Sequence, residues 1–311
     1  MHVENCVDPT GQWIGQAADR WLQEKPALET VIRPFSAILI EKASISQGLK
    51  NMIGPLDAVR VVQGLASGIP MVLNFDSGGL KRPMDKALAD MLPVLARVFP
   101  TLEADLSAIT GSLGTGAIDA GILAKAYLEG DSLAFRSQSK KMGAAEETAG
   151  FVVNWALSAV LNTARITWTD AVGPFAWYKG FCPLCGSLPA IGFFAKPDSP
   201  SAEHLVGGGG QRYLFCALCG HQWRFERNRC PVCDTDDKEK LCYYQVSGEI
   251  GERIDACGQC GHYLLCLDLR RWALPPPMEV AAVGMIHLDI VASDHGFRPM
   301  AWTPWNRLGD L

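Results

Sequence analysis

The sequence predicts an α+β multidomain protein: an N-terminal all-α helical domain, two tandem metal ribbons and a short C-terminal helical tail. Two observations support this prediction. Residues 1–170 are rich in Ala and Leu and contain one cysteine. Eight of the 11 cysteines form four Cys-x-x-Cys pairs within 182–260, where short aromatic and β-branched runs alternate with turns. The predicted divisions are 1–172, 173–228, 229–272 and 273–311.

The N-terminal region carries the helical period. Segment Asp85–Val98 places apolar side chains at three- and four-residue intervals, and Pro93 within it predicts a bend or a break. Pairs such as Gly78-Gly79, and the stretch Gly111 to Gly116, are expected to separate helices. Similar helical patterns occupy 15–24, 30–48, 56–66, 117–129 and 145–165. We therefore expect six to eight helices in this domain.

The cysteine pairs indicate metal binding, because one Cys-x-x-Cys supplies two ligands of a tetrahedral ion and two pairs complete the site. A disulfide framework would need an oxidising compartment, and a thioredoxin-like dithiol expects a βαβ setting. Turns and short strands flank these pairs instead, which favours metal. The pairs are Cys182/Cys185, Cys216/Cys219, Cys230/Cys233 and Cys257/Cys260.

The order of the pairs is itself a repeat. Cys-Pro-x-Cys followed by Cys-x-x-Cys-Gly-His occurs twice, which indicates a duplicated unit. The repeat favours joining the first pair to the second and the third to the fourth, across spacers 186–215 and 234–256 that could each form a β-hairpin. The alternative joins the second pair to the third and the first to the fourth. Spacing alone does not decide between them.

The identity of the metal stays open between iron and zinc, since four thiolates suit both. The spelling Cys-Pro-x-Cys-Gly occurs in rubredoxin-like modules and in zinc ribbons. His221 and His262 follow knuckle glycines and could each replace a cysteine as ligand. Because each site already has four thiolates, we expect them either to contact the ligands or to face solvent. Cys242 and Cys266 lie in strand-like runs and are expected to be buried, whereas Cys6 is expected to be an ordinary thiol.

Other segments of the C-terminal half have simpler expectations. The four-glycine stretch Gly207–Gly210 predicts a hairpin loop, because a phosphate loop would need a helix directly after it. Beyond Pro275–Pro277, the apolar run Met278–Ser293 predicts a helix, and Trp302 and Trp305 are expected to pack onto the protein. The predicted strands are Ala190–Ala195, Arg212–Phe215, Gln222–Phe225, Tyr243–Val246 and Tyr263–Leu267.

Charge argues against a nucleic-acid partner. The chain has a net charge of −5, and eight thiolates with two divalent ions would add about −4 to a region with balanced acids and bases. Nucleic-acid binding depends on a basic face that neutralises phosphates. The cluster Arg224, Arg227 and Arg229 could form a small one, but a solvated strand face paired with Glu226 explains it more simply.

Catalysis, membrane insertion and export also find little support. The sequence has no nucleophile elbow, Walker loop or dinucleotide fingerprint, and a closed four-cysteine site leaves no coordination position for substrate. We therefore predict a protein that is not an enzyme. No run of 18 apolar residues predicts a membrane span. The first residues lack the pattern of a signal peptide, which predicts cytoplasmic residence.

Three segments, Trp177–Gly192, Arg212–Cys233 and Cys257–Asp268, resemble the FdhE family of formate dehydrogenase accessory proteins. Four cysteine pairs behind a helical domain of this length form a specific combination. Asp234 is a departure, because it stands where such a knuckle usually has glycine, and it puts the local turn in question.

The resemblance implies a cytoplasmic, chaperone-like assembly factor that is not an enzyme. Its partner would be the catalytic subunit of respiratory formate dehydrogenase, which carries molybdenum cofactor and an iron–sulfur cluster, before twin-arginine export. The family layout implies two rubredoxin-like modules that bind iron. Alternatives are a zinc-ribbon nucleic-acid-binding protein or a rubredoxin-like electron-transfer protein. The implied metal ligands are Cys182, Cys185, Cys216, Cys219, Cys230, Cys233, Cys257 and Cys260.

Overall fold

The computed structural model of the protein describes residues 10–74, 78–172, 174–195, 210–245 and 251–307. These residues form two compact units. The first unit contains the described residues up to Gly15, Arg33–Phe175 and Leu184–Gly186. The second contains Gln16–Ile32, Ala176–Pro183 and the described residues from Ser187 onward. The four-part division expected from the sequence stays a prediction.

The described part of the chain before residue 173 has eight α-helices, the upper end of the predicted number. α7 was not among the segments with a helical pattern, because its sequence is largely polar. None of the described helices is long and apolar enough to cross a membrane. The helices are α1 (Gly11–Glu24), α2 (Glu29–Gly48), α3 (Ala58–Ala66), α4 (Gly78–Val98), α5 (Glu103–Gly114), α6 (Ala120–Glu129), α7 (Ser132–Met142) and α8 (Glu146–Val172).

Helix α4 corrects two expectations. It begins at Gly78, so the Gly78-Gly79 pair opens the helix rather than breaking it, and it continues without a break through Pro83 and Pro93. A proline in a helix interior costs about 3 kcal/mol. Nine of its residues are buried, including Leu88. Each fully buried large apolar side chain contributes about 1.5–3 kcal/mol, which outweighs the local cost. Helix α5 likewise runs through Gly111.

The core of the helical unit is built around α8. Residues on several sides of this helix, such as Val152, Ala156 and Leu161, are fully buried. A helix that is apolar around much of its circumference is typical of the interior of a domain. Aromatic rings extend the core, with the Phe35 ring 6.4 Å from Trp155 between ring centroids.

The cysteine-rich half folds into one seven-stranded sheet. Its order is β3-β2-β1-β6-β5-β4, with β7 beside β6. Each ribbon contributes three antiparallel strands, and the ribbons join where β1 runs parallel to β6 with Ile191 opposite Leu265. The strands are β1 (Pro189–Ala195), β2 (Gln211–Cys216), β3 (Gln222–Arg224), β4 (Leu241–Tyr244), β5 (Glu252–Cys257), β6 (His262–Asp268) and β7 (Arg298–Pro299). The α+β class is thereby confirmed, with the two tandem ribbons merged edge to edge.

Several details of this half differ from the sequence prediction. Strand β5 was not anticipated, because charged residues interrupt its apolar pattern. Gly207–Gly209 and Val246 lie outside the described residues, so the hairpin-loop hypothesis stays a prediction. Trp302 is 54% exposed rather than packed onto the protein.

The C-terminal helix is divided in two, α9 (Met278–Gly284) and α10 (Ile286–Asp294), with the division at Met285. Gly284 is required by a close approach, because a Cβ there would lie 2.5 Å from the Trp21 ring. Trp21 is itself 2% exposed. The apolar run thus forms two short helices rather than the single helix that its pattern predicts.

A buried polar pair attaches α10 to the sheet. Tyr263 of β6 donates a hydrogen bond to Asp289 of α10, with 2.5 Å between the two oxygens. Asp289 is 3% exposed. Burial raises the pKa of its carboxyl group to about 7, although the Tyr263 hydroxyl lowers it. Near neutral pH this carboxyl group is therefore partly protonated in the folded protein.

The raised pKa of Asp289 predicts a specific pH dependence of stability. The folded protein holds this proton up to about pH 7, whereas the unfolded chain releases it near pH 4. Folding is therefore favoured at low pH, and this contribution is lost by about 1.4 kcal/mol per unit as pH rises from 4 to 7. Denaturant unfolding of the wild type and Asp289→Asn should show that difference in slope. Parallel pH profiles for the two proteins would contradict it.

Candidate metal centres

The first centre brings together Cys182, Cys185, Cys216 and Cys219. Their sulfur atoms all lie within 4.8 Å of one another, and all four residues are buried. The sulfurs of Cys182 and Cys219 are 3.5 Å apart. A tetrahedral ion with metal–sulfur bonds of about 2.3 Å would separate its ligands by about 3.8 Å. The spacing therefore fits a four-thiolate metal site and is far longer than a disulfide bond of about 2.05 Å.

Local turns of the backbone position these sulfur atoms. The N–H of Cys182 donates to the carbonyl of Ser187 at 2.9 Å, and the N–H of Cys216 donates to His221 at the same distance. Each bond closes a tight turn around one Cys-x-x-Cys. The N–H groups of Leu218 and Cys219 also donate to the Cys216 sulfur, both at 3.4 Å. These two bonds hold the Cys216 sulfur in place within its turn.

The second centre repeats the first with Cys230, Cys233, Cys257 and Cys260. The sulfur of Cys230 lies 3.7 Å from that of Cys260, and the Cys233 and Cys257 sulfurs are also 3.7 Å apart. Cys233 and Cys260 are only half-buried, unlike any ligand of the first centre. Both groups join the pairs in the order that the repeat predicts, and each could hold one metal ion.

The turn at Asp234 keeps the conformation of the other knuckles although aspartate replaces the usual glycine. The equivalent knuckle residues Gly186, Gly220 and Gly261 have φ values of 82°, 70° and 72°. Asp234 adopts the same left-handed conformation with φ 62°, the only non-glycine residue with positive φ in the described chain. Aspartate tolerates this region better than most residues. Its carboxylate also lies 3.1 Å from the Arg229 guanidinium. The Cys230/Cys233 knuckle therefore keeps the left-handed turn that the other three knuckles form with glycine.

The protonation of the second centre shows why a cation suits it. Burial raises the pKa of Cys260 to about 11 and also raises the pKa of Cys230. Burial opposes ionisation of Cys257 too, but the N–H groups of Cys260 and Gln259 lower its pKa. A dication supplies the positive charge that stabilises several neighbouring thiolates together.

The other described cysteines and histidines lie outside the two sulfur clusters, and Cys6, expected to be an ordinary thiol, is not among the described residues. His221 stacks on Trp223 with 6.5 Å between ring centroids, and the Nδ1 of His262 is 3.0 Å from the Cys260 carbonyl. Cys266 is buried as expected and donates to Asp255 at 3.2 Å. Cys242 is exposed, so its expected burial was wrong. It lies on β4, at the end of the strand order, where one side of the strand has no neighbour within the described sheet.

Residues that the motif search did not single out hold the knuckles in place. The indole N–H of Trp223 donates to the carbonyl of Lys179 at 3.1 Å, and that of Trp177 donates to Phe181 at 2.7 Å. Gly180 leaves room for the Cys230/Cys233 knuckle, because a Cβ there would lie 1.9 Å from the Pro231 carbonyl oxygen. The available signal was a glycine and a tryptophan within five residues before the first Cys-Pro-x-Cys and a tryptophan seven residues before the second.

Comparison with known proteins identifies relatives of this architecture. No family model matches the chain. It is 31% identical over 122 residues to the protein FdhE homolog of Aquifex aeolicus (strain VF5), covering 39% of this chain and 40% of that one. It is 30% identical over 160 residues to the protein FdhE homolog of Serratia proteamaculans (strain 568), covering 50% and 46%. The matches thus span less than half the length of these relatives.

The fold is similar over a longer range. The crystal structure of the FdhE protein from Pseudomonas aeruginosa aligns with 94% of this chain and 94% of its own, with a TM-score of 0.63 and 19% sequence identity. At that identity the likeness concerns the fold. The resemblance to the FdhE family expected from the cysteine motifs is confirmed by these sequence and fold matches together.

Single serine substitutions should separate the two centres. Cys182→Ser removes one ligand of the first and Cys230→Ser one of the second, so each variant should retain about one metal per chain where the wild type holds two. Cys242→Ser removes an exposed thiol outside both clusters and serves as the control, with two metals retained. Elemental analysis of the purified proteins measures this. Two metals in either ligand variant would contradict the assignment.

Exposure predicts that the second centre loses its metal first. Cys233 and Cys260 are accessible to a chelator, whereas the first centre must open before its buried sulfurs are reached. Cys230→Ser, which keeps only the first centre, should therefore release metal to a coloured chelator more slowly than Cys182→Ser. Equal rates, or the reverse order, would show that burial does not control metal release.

Proposed function

We propose that this chain, which belongs to the FdhE family, is an accessory protein that assists formate dehydrogenase assembly by binding its catalytic subunit in the cytoplasm before export. The observation that carries the proposal is the pair of complete four-sulfur clusters within a fold that matches the FdhE protein of Pseudomonas aeruginosa over 94% of both chains. We assign all eight cysteines of these clusters as metal ligands, with iron or zinc bound.

The physical role proposed for the metals is to make the ribbons rigid. A ribbon of roughly 50 residues buries too little apolar surface to be stable alone. Binding of structural zinc contributes on the order of 10–16 kcal/mol in small peptides, which exceeds the net stability of a typical domain. Since all four tetrahedral positions would be filled by sulfur, the centres suit a scaffold better than a catalyst.

Exposed aromatic side chains supply contact points for a partner. Tyr178, next to the first knuckle, is 77% exposed and Tyr243 on β4 is 66% exposed. Large aromatic residues are enriched at protein interfaces and often dominate binding energy there. We propose that both tyrosines contact the catalytic subunit, in a manner that depends on the metal-loaded ribbons.

A redox role is the second candidate, and the half-buried sulfurs of the second centre favour it. Iron held by four thiolates could accept or donate an electron, whereas zinc has no redox chemistry. Visible absorption of the purified protein separates the two metals. A colourless protein with two zinc ions would leave only the scaffold role.

Co-purification tests the assembly proposal. The tagged chain should capture the formate dehydrogenase catalytic subunit from cells that produce both. Tyr178→Ala/Tyr243→Ala should weaken capture by about thirtyfold or more, since even one hot-spot residue contributes at least about 2 kcal/mol. Ile290→Ala truncates another exposed side chain, on α10, and should leave capture unchanged. If the metal-loaded wild type captures no catalytic subunit, the proposal is wrong.

A further inference from the structure

One face of the sheet carries an unusual concentration of arginine. On β1, Phe194 is in register with Arg212 of β2 and Asp268 of β6, and on β5 Arg253 is in register with Cys266 of β6. Residues in register on neighbouring strands point to the same face of a sheet. These residues therefore share one face, which lies opposite the face where Tyr263 meets α10.

A cavity of about 130 Å³ opens on this face. Its walls include Arg212, Arg227, Arg229 and Arg253, and the Tyr243 side chain also lines it. We call it the arginine cleft. One ordered water needs only about 10–15 Å³ on the same measure, so the cleft has room for a small polyatomic ligand. All of its walls come from the cysteine-rich half of the chain.

The guanidinium groups in the cleft are held in place before any ligand arrives. Arg212 is 3% exposed, and its Nη1 donates to the carbonyls of Glu226, Arg227 and Arg229 at 3.4, 3.3 and 3.2 Å. Its Nε has no hydrogen-bond partner within the described structure. The guanidinium carbon of Arg253 lies 4.3 Å from the Phe194 ring centroid, and that of Arg227 lies 4.9 Å from it.

The carboxylates near the cleft do not balance these cations. Asp268 forms an ion pair with Arg270 at 2.7 Å. Asp255 forms ion pairs with both Arg253, at 2.8 Å, and Arg212, at 3.4 Å. Arg227 has no carboxylate within 4.0 Å in the described part of the chain. Arg229 aside, the described walls of the cleft hold the guanidiniums of Arg212, Arg227 and Arg253 and one carboxylate, that of Asp255. These side chains alone have a surplus of two positive charges.

The local field shows the same imbalance. Burial, followed by the guanidiniums of Arg270 and Arg253, lowers the pKa of Arg227; Asp268 opposes this shift, and Arg212 adds to it. Like charges held together in a partly buried cleft repel one another, and an anion placed among them relieves that repulsion. Arg229 differs from this set, because Glu226 and Asp234 lie 2.9 and 3.1 Å from its guanidinium.

The sulfurs of the second centre do not supply the missing negative charge directly. Cys230 and Cys257 line the cleft, and four thiolates around a dication carry about −2. Backbone N–H groups of their own knuckles already donate to these two sulfurs, from Val232 and Cys233 and from Gln259 and Cys260.

We propose that the arginine cleft binds a phosphoryl dianion, either inorganic phosphate or the phosphate group of a small phosphomonoester. Guanidinium forks match phosphate oxygens in bidentate pairs, and a phosphomonoester carries about −1.5 to −2 near neutral pH, which favours pairing with the clustered guanidiniums of the cleft. The bound group would lie beside the second metal centre. This proposal is independent of client binding, because it rests only on the charge and geometry of the cleft.

Calorimetric titration of the metal-loaded full chain with inorganic phosphate tests the proposal. The expected result is saturable binding of one phosphate per chain, weakened about tenfold or more in Arg227→Gln, since one charge-assisted pair contributes about 1.5–3 kcal/mol. Arg224→Gln is the matched control. It makes the same charge change on exposed β3, outside the cleft, and should bind phosphate within about twofold of the wild type because solvent screens it. Retention of two metals verifies that both variants are folded.

Further ligands separate the remaining outcomes. Tighter binding of glycerol 3-phosphate than of inorganic phosphate would support a phosphomonoester as the ligand, and equal or weaker binding would support free phosphate. Acetate, a monoanion, should bind more weakly than either. No saturable phosphate binding, equal weakening in both variants, or acetate binding as tightly as phosphate would overturn the proposal.

Discussion

The closure of two four-sulfur clusters is the interaction on which the cysteine-rich half depends. Each cluster joins two turns that are far apart in sequence, such as Cys182 and Cys219, and holds their sulfurs at the separation of ligands around one tetrahedral ion. The strands that connect the turns are short, and β3 has only three residues. Without a cation the raised pKa values of Cys230 and Cys260 would keep those thiols protonated, and the turns would lose their common anchor.

Duplication of the ribbon creates surfaces that one ribbon would lack. The two copies join head to tail through the parallel pair β1 and β6, which produces one sheet with two different faces. One face bears Tyr263 and its hydrogen bond to α10. The other bears Phe194 and the arginine cleft, whose residues come from both copies. The structure thus places a basic recess directly beside the more exposed metal centre.

The sequence predicted what is encoded locally. A Cys-x-x-Cys knuckle needs four consecutive residues, so the repeat order predicted which cysteines come together in each group of four, and the different character of the two halves predicted the α+β class. The left-handed conformation of Asp234 was not predicted, because the glycine that marks this conformation in the other three knuckles is replaced there by aspartate. Likewise the prolines of α4 signalled a break that burial of its apolar face overrides.

Features that depend on strand register were beyond the sequence. Arg212 and Arg253 are separated by about forty residues, and they share a face only because β1 and β6 pair in parallel between their strands. The same is true of the exposure of Cys242, which follows from the position of β4 at the end of the strand order. Pattern reasoning assigns apolar and charged positions to a strand, but it does not say which strands become neighbours.

X-ray absorption spectroscopy at the metal edge of the purified protein tests the central claim most directly, because it counts and identifies the atoms bound to the metal. Two metals per chain are expected, each with four sulfur ligands at about 2.3 Å if the metal is zinc. Nitrogen or oxygen neighbours in place of sulfur, or a metal-free folded protein whose cysteines are joined in disulfides, would contradict the four-thiolate assignment.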